Sequence, residues 1–216
     1  ALPSPEESGR LPALVSGLSA VHRAHLAAAL RVKYKRPLVV LCPDETAASA
    51  LAGDISALTG ETCSLLSGRD YAFYSADAMS RGTEQRRINA LAALMNGASV
   101  TVVTAEGLFQ RTMPPEVFRR AVFEIDMQSQ TAPEDVEDAL LRCGYSRAVQ
   151  VEGPGQFSRR GGILDFFSPA YSQPVRIEFW GDEIDSMGFF DTGTQRRTES
   201  IDRCAVVPAA EVLPTL

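Results

Sequence analysis

The chain has 216 residues, is 45% hydrophobic and 22% charged, and carries a net charge of −6. That length holds one large or two small domains with buried cores. The acidic balance argues against broad nonspecific DNA binding, which draws on excess Lys and Arg. Apart from Lys33 and Lys35 its positive side chains are arginines, which suit specific bidentate pairing better than diffuse attraction.

Residues 1–11 are rich in Pro, Ser and Glu and read as a loose lead-in. Residues 14–19 resemble a short strand entering a turn, and the alanine- and leucine-rich stretch 20–32 is a good helix by propensity. Residues 33–37 break it. The continuous apolar run 38–42 is what a buried parallel strand looks like. Pro43-Asp44 ends it, and Asp44 can cap a helix carrying Leu51, Ile55 and Leu58 that closes at Gly60. A short strand is expected at 62–66. A loop with Tyr71, Phe73 and Tyr74 follows at 68–79, with those rings tucked onto the domain. A helix at 80–96 turns Ile88, Leu91 and Met95 inward. A strand at 99–103 leads to a short helix capped by Thr104, which Pro114-Pro115 stops. Strand and helix alternate throughout, so 14–113 reads as a parallel α/β domain.

The pattern then changes. Residues 121–127 alternate as a strand. Thr131-Ala132-Pro133-Glu134 has capping-box spacing ahead of a helix with Val136, Leu140 and Cys143 on one face, ending at Gly144. Only strand signals follow, which predicts an α+β domain with one helix on an antiparallel sheet. In the run 175–180, Val175, Ile177 and Phe179 share one face and Arg176, Glu178 and Trp180 the other. Gly181-Asp182 reads as the hairpin turn and 184–190 as the returning strand. The apolar trio belongs inside, which leaves the single tryptophan outside beside an arginine. Either another element covers Trp180, or it anchors a partner, for which Trp and Arg are the enriched residues. Arg159-Arg160-Gly161-Gly162 adds a second basic point, so Arg160, Arg176 and Trp180 can form one exposed patch if the two strands are neighbours.

Catalytic readings find little. The stretch 14–30 stands where a phosphate-binding loop would sit, but that loop needs Gly, four residues, then Gly-Lys-Ser/Thr to cradle phosphate and hold Mg²⁺. Gly17 is instead followed four residues later by His22-Arg23-Ala24. Either this is a degenerate P-loop or Gly17 is an ordinary turn glycine; in both cases no nucleotide hydrolysis is expected. His22 and His25, three apart on a helix, read as structural. Asp182, Glu183 and Asp185 read as a solvated acidic turn. Cys42, Cys63, Cys143 and Cys204 are scattered without a CxxC, which suggests neither a zinc site nor a disulfide framework. No signal peptide and no apolar run of 18 or more is found, so a soluble cytoplasmic chain without membrane contact is expected.

The series GQFSRRGGILDFF at 155–167, PVRIEFWGDEIDS at 174–186, Phe190-Asp191 and Gln195-Arg196 closely resembles the N-terminal region of bacterial transcription-repair coupling factors. More distantly it resembles the B subunit of the nucleotide-excision-repair excinuclease. Ala209-Ala210-Glu211 resembles that family's passage into its next domain. The B subunit has an intact ATP loop and a long aromatic hairpin after its second strand. This chain has neither, which favours the coupling factor.

The resemblance implies a fold and a role. An α/β domain with a degenerate P-loop is expected at 1–118, and a smaller α+β domain with an antiparallel sheet, binding the excinuclease A subunit, at 119–208. The beginning of a further segment is expected at 209–216. The implied role is non-catalytic recruitment of excision repair to stalled RNA polymerase. The family's two arginines and one aromatic fall on Arg160, Arg176 and Trp180, where the family commonly has Phe at the last position. No cofactor is expected in this stretch; ATP, RNA polymerase and DNA would engage other domains of the parent chain. The alternative is a divergent ATP- and DNA-binding enzyme of the excinuclease-B or helicase kind.

Overall fold

Three parallel strands with helices around them form the first part of the chain, in a computed structural model that describes residues 13–69 and 81–213. Helix α1 (Ala20–Tyr34) begins where the Ser19 side chain accepts from the His22 backbone and ends at Lys35 in a left-handed conformation. Strand β1 (Leu38–Cys42) follows, then α2 (Glu45–Thr59), capped by Asp44 and closed by Gly60 at φ 69°. After β2 (Ser64–Leu66) come α3 (Arg81–Met95), β3 (Val100–Thr104), α4 (Ala105–Phe109) and α5 (Pro115–Ala121). The sheet order is β1-β3-β2, and both pairings are parallel. Central β3 is buried along its whole length. Small residues Ala24, Ala27, Ala48 and Ala52 let α1 and α2 pack closely over it.

Four expectations are corrected here. Residues 14–19 form no strand, and Leu14 is exposed, so α1 is entered from a turn at Gly17 (φ 77°) and not from a sheet. The strand–turn–helix of a phosphate loop is therefore not assembled at 14–30. Strand β1 is parallel but not buried: it is an edge strand, with Val39 61% and Leu41 57% exposed. A run of apolar residues does not reveal which face is covered. Pro114-Pro115 does not stop the Thr104-capped helix, which ends at Phe109; Pro115 opens α5 as its first residue, where a missing N–H costs nothing. Tyr71, Phe73 and Tyr74, like the lead-in at 1–11, lie outside the described residues.

The second part is built on an antiparallel sheet. Strand β4 (Phe123–Asp126) leads to α6 (Pro133–Arg142), then β5 (Ser146–Arg147), β6 (Gln156–Arg160), β7 (Ile163–Phe166), β8 (Val175–Trp180), β9 (Glu183–Phe190), β10 (Arg197–Ser200) and β11 (Arg203–Val206). Six strands run in the order β10-β9-β8-β7-β6-β5, and β4 pairs β11 separately. Pairing is antiparallel except for β5 with β6. Helix α6 lays Val136, Leu140 and Cys143 on the inner faces of Phe157, Leu164, Phe166, Val175 and Ile177. Its cap differs from the expected box: Ala132 precedes the first turn with no side-chain bond, and Pro133 occupies the first helical position. The four cysteines are free, and burial pushes the Cys143 thiol up to about 11 and Cys204 to about 12, so both stay protonated core residues.

Candidate docking site

Strand β8 does what its alternation demands. Val175 and Ile177 are fully buried, and Phe179 packs against the same core. Arg176 and Glu178 point away from it. Trp180 is 83% exposed at the turn into β9, where Gly181 takes a φ of 63°.

The neighbouring hairpin brings Arg160 to the same end of the sheet. Strands β6 and β8 run the same way on either side of β7, so their turns, at Gly161-Gly162 and Gly181-Asp182, are adjacent. The Phe179 backbone N–H donates to the Gly162 carbonyl at 2.7 Å. A Cβ on Gly162 would stand 2.8 Å from the Phe179 carbonyl, so this close approach requires glycine. Across the sheet Arg160 pairs with Ile163, and Ile163 with Glu178.

Both arginines share one carboxylate. Asp165, buried in the middle of β7, stands opposite Arg176. Arg176 Nε donates to Asp165 Oδ1 and Nη2 to Oδ2, both at 2.7 Å, a bidentate pair. Arg160 Nη2 reaches the same Oδ2 at 3.4 Å. The two differ in freedom. The Arg160 side chain is 56% exposed and that of Arg176 14%. Arg176 also lies over the Phe190 ring, 4.4 Å from its centre, and Asp165 holds its guanidinium still more firmly protonated than usual. Arg159 belongs to the other face: it donates to Glu134 and Glu137 of α6.

The structure thus brings Arg160 and Arg176 together and sets Trp180 at the tip of the same strand as Arg176. Sequence reasoning missed Asp165 and Gln195. A carboxylate inside the apolar run ILDFF was the available signal, because a buried charge demands a partner. For Gln195, whose carbonyl and side-chain oxygens both accept from Arg176, no local pattern gave notice.

Residues 123–211 match the family described as the UvrB interaction domain. The second half of the chain is thus similar to a UvrB interaction domain. Over most of its length the chain is also similar to transcription-repair-coupling factors. It is 34% identical over 208 residues to that of Myxococcus xanthus, covering 92% of this chain and 17% of the relative. It is 29% identical over 202 residues to that of Bacillus subtilis, covering 93% and 17%. A UvrABC system protein B from Thermosipho africanus is 24% identical over 197 residues, covering 85% and 30%. The chain thus spans about 17% of the length of these coupling factors. The matched stretch contains Arg160, Arg176, Trp180, Asp165 and Gln195. Among the described residues no three His, Cys, Asp or Glu side chains gather to hold a metal, and no helix is long and apolar enough to cross a membrane. Among the described residues His22 and His25 engage their own helix and its cap, at Ser19 Oγ and the Val21 carbonyl.

Proposed function

We propose that this chain is a non-catalytic recruitment module: it binds the excinuclease A subunit, which brings nucleotide-excision repair to a stalled RNA polymerase. The carrying observation is an exposed indole, Trp180, on a hairpin next to the Arg160 turn, inside the stretch that matches the UvrB interaction domain. A bare indole on a turn adjacent to that of an arginine has the chemistry of a binding hot spot, and burying it against a partner contributes about 1.5–3 kcal/mol. ATP-driven movement on DNA and contact with RNA polymerase would belong to the rest of the parent protein. The degenerate stretch at 17–24 supports a module that does not turn over nucleotide: it has no Gly-Lys-Ser/Thr to seat phosphate and Mg²⁺.

The test is calorimetric titration of this chain with the excinuclease A subunit. Trp180→Ala and Arg160→Glu are expected to remove binding while far-UV dichroism and the melt stay as in the wild type. Unchanged affinity in both would overturn the reading. Arg176→Glu is a poor probe, because it sets a second carboxylate against buried Asp165 and loses the fold with the contact.

A further inference from the structure

Arg176 spends most of its hydrogen-bonding capacity inside the chain. A guanidinium has five N–H donors. Nε and one Nη2 proton go to Asp165; the other Nη2 proton goes to Gln195 Oε1 at 3.2 Å, and one Nη1 proton to the Gln195 carbonyl at 3.1 Å. One Nη1 proton is left. Gln195 is itself held. It sits in a left-handed conformation, φ 60°, in the turn between β9 and β10. Its backbone N–H donates to the Asp191 carbonyl at 2.8 Å, and its Nε2 donates to the Thr192 carbonyl at 2.7 Å. That second bond fixes the amide so that Oε1 must face Arg176. Asp191 Oδ1 ties down the same turn by accepting from the Thr194 backbone and hydroxyl at 2.7 and 2.8 Å.

We propose that Gln195 is a positioning residue of the docking face, acting through Arg176. Resting on the docking reading above, it says which part of the face is set in advance. Gln195 and Asp165 hold the Arg176 guanidinium flat over Phe190, with one N–H directed to a partner's carboxylate or carbonyl. Because Arg176 covers both oxygens of Asp165, the longer bond from Arg160 is the one that yields, and Arg160 is the cation free to swing to the partner. A guanidinium ordered beforehand loses no rotamer freedom on binding.

Gln195→Gly separates this role from a structural one. It deletes the side chain at a position whose backbone favours glycine, so the melting temperature is expected to hold or rise. Affinity for the excinuclease A subunit is expected to fall about tenfold, and Gln195→Glu, which keeps an acceptor for Arg176 but loses the donor to the Thr192 carbonyl, to restore part of it. Arg176→Lys keeps the charge and an ion pair with Asp165 but cannot be gripped from two sides, so it too binds weakly. The double variant Gln195→Gly/Arg176→Lys is then no weaker than Arg176→Lys alone. Wild-type affinity in Gln195→Gly, or losses that simply add in the double variant, overturn the proposal. If Arg176→Lys does not fold, the Gly and Glu variants of Gln195 decide alone. A wild-type chain that fails to bind the excinuclease partner overturns the docking reading and this one with it; a wild type that binds beside an indifferent Gln195→Gly overturns only this one.

Discussion

The Glu211 carboxylate rests on the guanidinium of Arg87, and neither side chain reaches water. Arg87 also donates to the Ser67 carbonyl at the end of β2, Arg69 joins on Glu211 Oε2, and the Glu211 backbone donates to Glu84 at 2.9 Å. The segment carrying Glu211 is bound on its other side to the part of the chain built on the antiparallel sheet: the Ala209 backbone donates to the Cys143 carbonyl, and Tyr145 Oη to the Val207 carbonyl, both at 2.8 Å. Val207 packs with Ile88, Met113 and Phe118. Residues 207–211 therefore fasten the helical sheet to the antiparallel one.

Removing one member of this pair strands a buried charge. Glu211→Gln is expected to cost about 3–5 kcal/mol, because Arg87 stays inside without its counter-charge. The double variant Arg87→Met/Glu211→Leu, which deletes both charges and keeps the volume, is expected to recover most of that loss. Urea melts followed by dichroism give both numbers. A Glu211→Gln chain as stable as the wild type would mean that the pair does not hold the two parts together.

The same carboxylate makes stability depend on acid. Burial pushes the Glu211 pKa up, but Arg87 and Arg69 pull harder and leave it below the ordinary 4.5. A carboxyl held lower in the folded chain contributes stability that is full above its unfolded pKa and is lost as pH falls through the folded one. Urea midpoints of the wild type are expected to drop as pH is lowered from about 4.5. Glu134 and Asp191, held low by Arg159 and by the Thr194 backbone, act in the same direction. The part due to Glu211 is the difference from Glu211→Gln, whose midpoint is expected to fall less steeply over that range.

How much of this was written in the chain depends on how local the cause is. Strand β8 was legible because one of its faces meets a core, and a period of two then sorts Val175 and Ile177 from Arg176 and Trp180. The caps at Asp44, Gly60 and Thr104 were legible because each acts within four residues. The bare side of β1 was not, because Val39 and Leu41 look the same whether or not something covers them. Arg87 and Glu211 are separated by 124 positions, and neither stretch marks its partner. Gln195 reaches Arg176 across 19 positions through a turn whose left-handed residue is not a glycine, so the usual turn signal was missing.

Arg159 stands next to Arg160 in sequence but is expected to behave oppositely. Its guanidinium faces α6, where it meets Glu134 and half-shields buried Glu137, which Arg147 also approaches. Arg159→Ala is expected to lower stability by about 1 kcal/mol while leaving the affinity for the excinuclease A subunit unchanged. Arg160→Ala is expected to do the reverse. Melts and titrations on the two variants check the pair of outcomes. A loss of affinity in Arg159→Ala with normal stability would extend the docking face around the sheet edge.

Trp180 is the chain's single tryptophan, so its fluorescence reports one position without interference. At 83% exposure the indole is already in water, and its emission is expected to be red-shifted and readily quenched by acrylamide. Unfolding should then barely change it, even while dichroism shows a cooperative loss of structure. Docking onto the excinuclease A subunit should change it strongly, because burying the ring in an apolar pocket moves emission to the blue and shields it from quencher. Trp180→Phe tests whether the ring or the indole N–H matters. It keeps an apolar ring on the hairpin, so affinity is expected to stay within about tenfold of the wild type, against a larger loss for Trp180→Ala. An emission maximum that is blue in the free chain would place the indole under cover and remove it from the docking face. An unshifted maximum in a chain that demonstrably binds this partner would move the contact elsewhere on the chain.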